Sequence, residues 1–295
     1  MGYGYYSMEE RTTRADTLGY KTKSAREIFK ERHLNKEMDP KDVKIRESRD
    51  SDDHPESISI IIALDHTGSM GSVPHHLVKE GLPNLMAKIM DKGIKDPQIL
   101  FLGIGDHKYD KAPLQIGQFE SSDPLMDKWL TEVYLEGGGG GNGGESYLLA
   151  WYFASRHTAI DCMEKRGKKG YLITIGDEPT FRSIPEDAIK NIMGEVAPLP
   201  YDEEDWTPDD ELTAEDLLAE AKRKYEVYHI HIHQTKQGQM EKNIDSWKDL
   251  IGDNLIVAEA KEDIPDIIAG IVCNNFGEIK WYGNGKLEEE KVVTL

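Results

Sequence analysis

The feature that most constrains the fold is an alternation of apolar runs and helical stretches that begins at Ile58. The runs ISIIIAL, QILFLGIG, GYLITIG, YEVYHIHI and LIVAEA have the β-branched and aliphatic composition of buried strands. Stretches with helical spacing separate them, and one of these predicts a single helix over about 145–165. Parallel neighbours need crossover connections, and right-handed crossovers distribute helices over both faces of a sheet. The pattern therefore predicts an α/β fold with a doubly wound, mostly parallel sheet whose functional residues lie at the carboxyl ends of the strands.

The alternation divides the 295-residue chain into three expected parts. Residues 1–57 carry few large aliphatic side chains and end in ESRDSDDHPES, a composition typical of a linker, although Ser24 and Glu27 form a capping box before a short helix. Residues 58–276 are expected to form the compact domain, with an acidic insertion at about 196–212. Residues 277–295 form a tail whose sequence favours a hairpin.

Charge and cysteine content restrict the classes of partner. The chain has 36 Lys and Arg against 55 Asp and Glu, a net charge of −19, which disfavours nucleic acid and anionic membranes. Cys162 and Cys273 lie in predicted helices, so we expect free thiols in a reducing compartment. The start MGYGYYSMEERTTR resembles no signal peptide, and no apolar run is long enough to span a membrane. We therefore expect a cytoplasmic protein.

The stretch DHTGSMG, directly after ISIIIAL, places Asp65, Thr67 and Ser69 at the carboxyl end of the first apolar run. Helix capping explains one of these residues but not all three. An aspartyl-phosphate enzyme needs a second carboxylate at the position of Thr67, and a nucleophile elbow needs glycine there. A phosphate-binding loop needs a lysine much earlier than Lys79. All three catalytic interpretations are therefore rejected.

A site for a hard cation remains. Asp65, Thr67 and Ser69 occupy alternate positions of a tight loop, so their oxygens can turn inward. Oxygen ligands suit Mg²⁺, Mn²⁺ or Ca²⁺, and the acidic composition agrees with a divalent ion.

The sequence DHTGSMG resembles D-x-[ST]-x-S, the first loop of the metal-ion-dependent adhesion site in von Willebrand factor type A domains. The resemblance covers about 58–276 and implies a second aspartate, which Asp177 in GYLITIGDEPT matches. EGGGGGNGGES resembles a bacterial variant of the second loop, G-G-x-D-x-x-E, with Asn142 in the place of the aspartate. Glu145 is read as a helix cap in preference to a ligand.

The family resemblance implies a metal-dependent binding module and not an enzyme. Asp65, Thr67, Ser69 and Asp177, with Asn142 as a further candidate ligand, would hold Mg²⁺ or Mn²⁺. An acidic residue of a protein partner would complete the coordination of the ion. Intracellular bacterial and viral members of the family often act as adaptors, some with AAA+ ATPases. Two alternatives stay open: a metal-dependent hydrolase or phosphotransferase, and a structural or assembly protein with an incidental ion.

Three further patterns have weaker functional interpretations. The run HIHIH places His229, His231 and His233 on one face of a strand, which indicates packed histidines more than a metal site. Asp106 follows the second strand and is expected in a turn or beside the metal ligands. The acidic run around Trp206 is interpreted equally well as a partner-binding loop or as a solvated insertion.

Overall fold

The apolar runs of the sequence form the strands of one central sheet. The computed structural model describes residues 5–137, 143–198 and 211–273. In chain order, the strands of this part of the chain are β1 Arg46–Ser48, β2 Ile58–Asp65, β3 Pro97–Ile104, β4 Leu114–Ile116, β5 Thr158–Ile160, β6 Gly170–Gly176, β7 Ser183–Pro185, β8 Glu211–Thr213, β9 Tyr225–Ile232 and β10 Leu255–Ala258. The helices are α1 Met8–Leu18, α2 Ala25–Ile28, α3 Val73–His76, α4 Leu82–Asp91, α5 Asp123–Thr131, α6 Leu148–Arg156, α7 Asp161–Glu164, α8 Glu186–Met193, α9 Ala214–Lys224, α10 Glu241–Ile251 and α11 Ile264–Cys273.

The central sheet has six strands in the order β10-β9-β6-β2-β3-β4. The pairings from β10 to β3 are parallel, whereas β4 pairs antiparallel with β3, so the sheet is mixed. Because β2 lies between β3 and β6, the residues that follow β2 and β6 emerge side by side at one edge. Separate two-stranded sheets join β1 to β5 and β7 to β8.

Successive residues of β2 point to opposite faces of the sheet, and each face is buried under helices. Ile60, Ile62 and Leu64 belong to a core cluster that also contains residues of α4, α5 and α11. Ile61 and Ala63 belong to a second cluster with residues of α6, α8 and α9. A strand covered on both faces has the continuous apolar sequence that ISIIIAL shows. The described part of the chain is therefore an α/β fold whose mixed sheet is flanked by helices.

The segment before β2, expected to precede the compact domain, packs on the same core. Tyr6, Tyr20, Phe29 and Met38 are buried members of the first cluster. The predicted capping box at Ser24 is present and opens the short helix α2. The end of the segment, expected to act as a linker, supplies β1, which pairs with β5.

One predicted helix is divided in the structure. A single helix was expected over 145–165, but α6 ends at Arg156 and Thr158–Ile160 forms β5. β-Branched residues at 158 and 160 favour the extended backbone, and the pairing of β5 with β1 supplies its partner. The tail at 277–295 and most of the acidic insertion, including Trp206, lie outside the described residues. No helix of the described ranges combines the length and apolar character needed to cross a bilayer.

Candidate metal centre

The loop after β2 brings its three predicted oxygen ligands together. Asp65 is the last residue of β2, and a short 3₁₀ turn, Gly68–Met70, bends the chain back over it. The Oδ1 atom of Asp65 accepts hydrogen bonds from the backbone N–H of Thr67 at 2.8 Å and from its hydroxyl at 2.7 Å. The hydroxyl oxygens of Thr67 and Ser69 lie 3.2 Å apart. The tight loop thus gathers a carboxylate and two hydroxyls, as the spacing predicted.

Asp177 joins this group from the neighbouring strand. It follows the end of β6, and the hydroxyl of Ser69 donates to its Oδ1 over 2.9 Å. Asp65 and Asp177 are both fully buried. The second oxygen of Asp177, Oδ2, receives no well-aligned hydrogen bond from the described residues, although the Thr235 hydroxyl lies close enough to lower the pKa of this carboxyl group. Since a buried carboxylate oxygen without a donor is costly, it is an atom suited to a cation.

The pKa values of both aspartates are raised in the metal-free fold, so the site favours a proton or another cation beside them. Burial, with the nearby charge of Asp177, raises the pKa of Asp65 to about 7. Burial also raises the pKa of Asp177, and the hydroxyls of Thr235 and Ser69 partly offset this increase. A divalent ion between the two carboxylates would replace the proton that burial otherwise favours.

Further carboxylates surround the pair. Glu145 and Glu178 are buried, with 3% and 8% of their surfaces exposed, and Glu145 Oε2 has no hydrogen-bond partner in the described structure. Burial, followed by the charges of Asp65 and Glu178, raises the pKa of Glu145 to about 10. Burial and the charge of Asp177 raise the pKa of Glu178. The cluster of buried carboxyl groups at this edge of the sheet therefore extends beyond the predicted ligands, and the raised pKa values mean that it holds protons in the metal-free fold.

Glu145 has a different setting from the one expected. Helix α6 begins at Leu148, and no side-chain cap bond forms at its N-terminus. The backbone of Glu145 pairs with that of Thr180. The interpretation of Glu145 as a helix cap is therefore wrong, because two residues separate it from Leu148, the first helical residue. Asn142, the remaining predicted ligand, lies outside the described residues.

Asp106 lies in a turn after β3, as one of the two interpretations predicted. It is fully buried, and its Oδ1 accepts a hydrogen bond from the backbone N–H of Lys108 over 2.7 Å. Its charge contributes to the raised pKa values of Glu145 and Glu178. Asp106 therefore belongs to the electrostatic surroundings of the site.

The three histidines of HIHIH do not converge. His229 stacks on Trp247 at 3.5 Å between ring centroids, His231 bonds the carbonyl oxygen of Gly238, and His233 pairs with Glu259. Burial lowers the pKa of both His229 and His231, so these rings are neutral and packed. Across the described ranges, no three or more His, Cys, Asp or Glu side chains are arranged to hold a metal ion together. The predicted set contains only two such residues, and its other described members are hydroxyls.

Tyr147 and Glu178 were not predicted as members of the site. Tyr147 is fully buried at the start of α6, and its hydroxyl donates to Asp65 Oδ2 over 2.8 Å. The sequence offered one signal for it, a polar aromatic residue two positions after Glu145 and before the apolar run LLAWYFA. Glu178 directly follows Asp177, so its proximity was visible in the sequence.

Comparison with known proteins gives no family assignment. No family model matches the chain, and no curated protein matches it.

Among solved structures, the chain is similar to the pilus adhesin SpaC from Lactobacillus rhamnosus GG in its open conformation, with a TM-score of 0.49 and 14% identity over 75% of this chain and 30% of that one. A second structure of that adhesin gives a TM-score of 0.45 and 15% identity over 75% and 31% of the two chains. Proximal thread matrix protein 1 from the mussel byssus gives a TM-score of 0.42 and 9% identity over 74% and 48%. The chain thus spans less than half the length of these proteins.

Proposed function

We propose that the chain is a von Willebrand factor A-like binding module with a doubly wound, mostly parallel sheet, and that it binds protein partners through a divalent ion. Asp65, Thr67, Ser69 and Asp177 would hold Mg²⁺ or Mn²⁺, and Asn142 is a further candidate ligand. The observation that carries the proposal is the hydrogen-bonded chain from Asp65 through Thr67 and Ser69 to Asp177, with both carboxylates buried. All of these donors are oxygens, which hard cations prefer.

The composition of this ligand set supports binding rather than hydrolysis. Two carboxylates and two hydroxyls would supply four ligands, whereas Mg²⁺ takes six, so open coordination positions would remain for a carboxylate from outside. We infer that the partner presents Asp or Glu, and an AAA+ ATPase is the kind of partner proposed. Both cysteines are free, which fits the reducing cytoplasm that we propose as the location.

The first test is calorimetric titration of MgCl₂ and MnCl₂ into metal-free protein. We expect saturable binding in the wild type and its loss in Asp65→Ala and Asp177→Ala, since each variant removes one of the two carboxylates. Asp110→Ala is the matched control, because Asp110 is a carboxylate at the same edge that bonds the backbone of Asp106 and not the proposed ligands. Equal binding by all four proteins, or no binding by the wild type, would overturn the proposal.

The open coordination position is tested separately with Mn²⁺. Bound Mn²⁺ with exchangeable water strongly enhances water-proton relaxation, and acetate that replaces this water should reduce the enhancement. An enhancement that stays unchanged as acetate is added would mean that the ion is closed to carboxylates and is structural.

A further inference from the structure

The hydroxyl of Tyr147 completes the set of donors around Asp65. Asp65 Oδ1 accepts two hydrogen bonds from Thr67, and its Oδ2 accepts one from Tyr147. Both carboxylate oxygens of Asp65 are therefore oriented by hydrogen-bond donors. The donors to Oδ1 come from the loop after β2, and the donor to Oδ2 comes from the residue that precedes α6. The hydrogen bond to Tyr147 spans 82 residues of sequence, so it ties two distant segments together.

Packing leaves the Tyr147 ring little freedom to move. The ring contacts Trp247 and His229 edge-on, with centroids 5.3 and 5.4 Å away. Its hydroxyl lies against the backbone of Gly176, where a Cβ would overlap the phenol oxygen. Glycine at 176 therefore makes room for the hydroxyl, one residue before Asp177. The phenol thus lies between the strand ends that carry the two aspartates.

We propose that Tyr147 is a positioning residue for the metal centre, acting through Asp65 and not on the ion itself. This inference rests on the proposed function. Hydrogen-bond partners behind metal-binding groups fix their orientation, and their removal typically weakens metal affinity about 10- to 100-fold. In Tyr147→Phe the ring and its packing remain, but Asp65 Oδ2 loses its donor and the carboxylate gains freedom to rotate.

The test measures Mg²⁺ and Mn²⁺ affinity of Tyr147→Phe by calorimetry. We expect binding to weaken about tenfold relative to the wild type. Tyr152→Phe is the matched control, since Tyr152 is also buried on α6 and its phenol oxygen accepts one hydrogen bond, from the Ala197 N–H at 2.7 Å. Tyr152→Phe should bind both ions with wild-type affinity. Unfolding of both variants by denaturant, in the absence of metal ions, measures how much each lost hydrogen bond lowers the free energy of unfolding.

The outcomes separate the two proposals. Ion binding by the wild type with equal affinity in Tyr147→Phe would overturn the positioning role and leave the proposed function intact. Equal losses of affinity in Tyr147→Phe and Tyr152→Phe would also overturn it, because both would then report a general structural effect. A wild type that binds neither ion would overturn both proposals. The titrations are run at about 10 °C, near the temperature of maximum stability of most domains, so that each variant is measured folded.

Discussion

At the scale of single residues, Asp65 and Glu145 make the stability of the metal-free protein depend on pH. Their carboxyl groups have pKa values of about 7 and about 10 in the fold, against ordinary values of 3.8 and 4.5. The folded state therefore binds protons more tightly than the unfolded chain. A group of this kind contributes stability below its ordinary pKa, and the contribution is lost as the pH rises through the raised value.

We expect the melting temperature of the metal-free protein to fall as the pH rises from about 5 to about 8, because deprotonation of Asp65 leaves a buried charge. Asp65→Asn should make this fall shallower. Thermal unfolding followed by circular dichroism at a series of pH values measures it. Asp91→Asn, at the exposed end of α4, is the control and should retain the wild-type slope. A melting temperature that rises over this range would contradict the prediction.

Ion binding should show the opposite dependence on pH. Because Mg²⁺ would displace the proton from Asp65, its affinity should rise about tenfold for each pH unit up to about 7 and then level. Calorimetric titrations in buffers of different ionisation enthalpy report the number of protons released. Release of no proton at about pH 6 would contradict the proton exchange at Asp65.

Away from the proposed metal centre, Asp96, His54 and Ser121 are linked in the order of a catalytic triad. Their surroundings indicate a structural role. His54 Nδ1 lies 3.3 Å from Asp96 Oδ1, and His54 Nε2 lies 3.2 Å from the hydroxyl of Ser121. Ser121 is only 2% exposed, and Asp96 also accepts a hydrogen bond from the backbone of Glu56. We therefore infer that these hydrogen bonds stabilise the packing of the segment before β2 against the start of β3.

At the scale of elements, helix α1 is fastened to the domain by one buried arginine. Arg11 is 1% exposed and forms ion pairs with Asp123 and Asp127 of α5. It also donates to the carbonyl oxygen of Val78. Val78 lies in the π-helical turn Leu77–Gly81, which joins α3 to α4. Arg11 thus links the segment before β2 to the π-helical turn between α3 and α4.

We predict that Arg11→Ala destabilises the protein by about 3–5 kcal/mol, because it leaves the buried carboxylate of Asp127 without its arginine. Arg14→Ala is the matched control, since Arg14 lies on the same helix and pairs with Asp123 but is 30% exposed. Its loss should cost less than that of Arg11, because the Arg14 side chain is partly solvated and Asp123 keeps its pair with Arg11. Equilibrium unfolding in urea measures both. Similar costs for the two variants would contradict the role assigned to the buried arginine.

The sequence predicted elements well where one local signal was sufficient. The five apolar runs predicted as strands are strands, and the capping box at Ser24 opens a helix. The sequence did not show that β5 interrupts the predicted helix at 145–165, because β5 depends on pairing with the distant β1. The sequence also did not show that Tyr147 lies beside Asp65, because this contact joins distant segments of the chain. Asp65 and Asp177 lie close together as predicted, because they stand at the ends of the adjacent strands β2 and β6.

At the scale of the whole molecule, the net charge of −19 affects every experiment with metal ions. Any salt screens repulsion among surface carboxylates and stabilises an acidic protein to some extent. Stabilisation by Mg²⁺ alone is therefore weak support for a specific site, and the comparison must hold ionic strength constant.

We predict that MgCl₂ raises the melting temperature more than NaCl of equal ionic strength. A specific ion at about 100 times its dissociation constant adds about 2.7 kcal/mol of stability. The difference between the two salts should disappear in Asp177→Ala and persist in Asp110→Ala. Differential scanning calorimetry measures it, and equal shifts by the two salts in the wild type would indicate screening alone.

The distance along the chain between the two halves of the proposed metal centre has a consequence for synthesis on the ribosome. Ser69 and Asp177, joined by a hydrogen bond in the fold, are 108 residues apart in sequence. At translation rates of about 5–20 residues per second, the loop after β2 is made roughly 5–20 s before its partner aspartate. The nascent chain therefore carries half of the proposed binding site for many seconds, and the complete group of residues can form only after β6 has emerged and paired with β2.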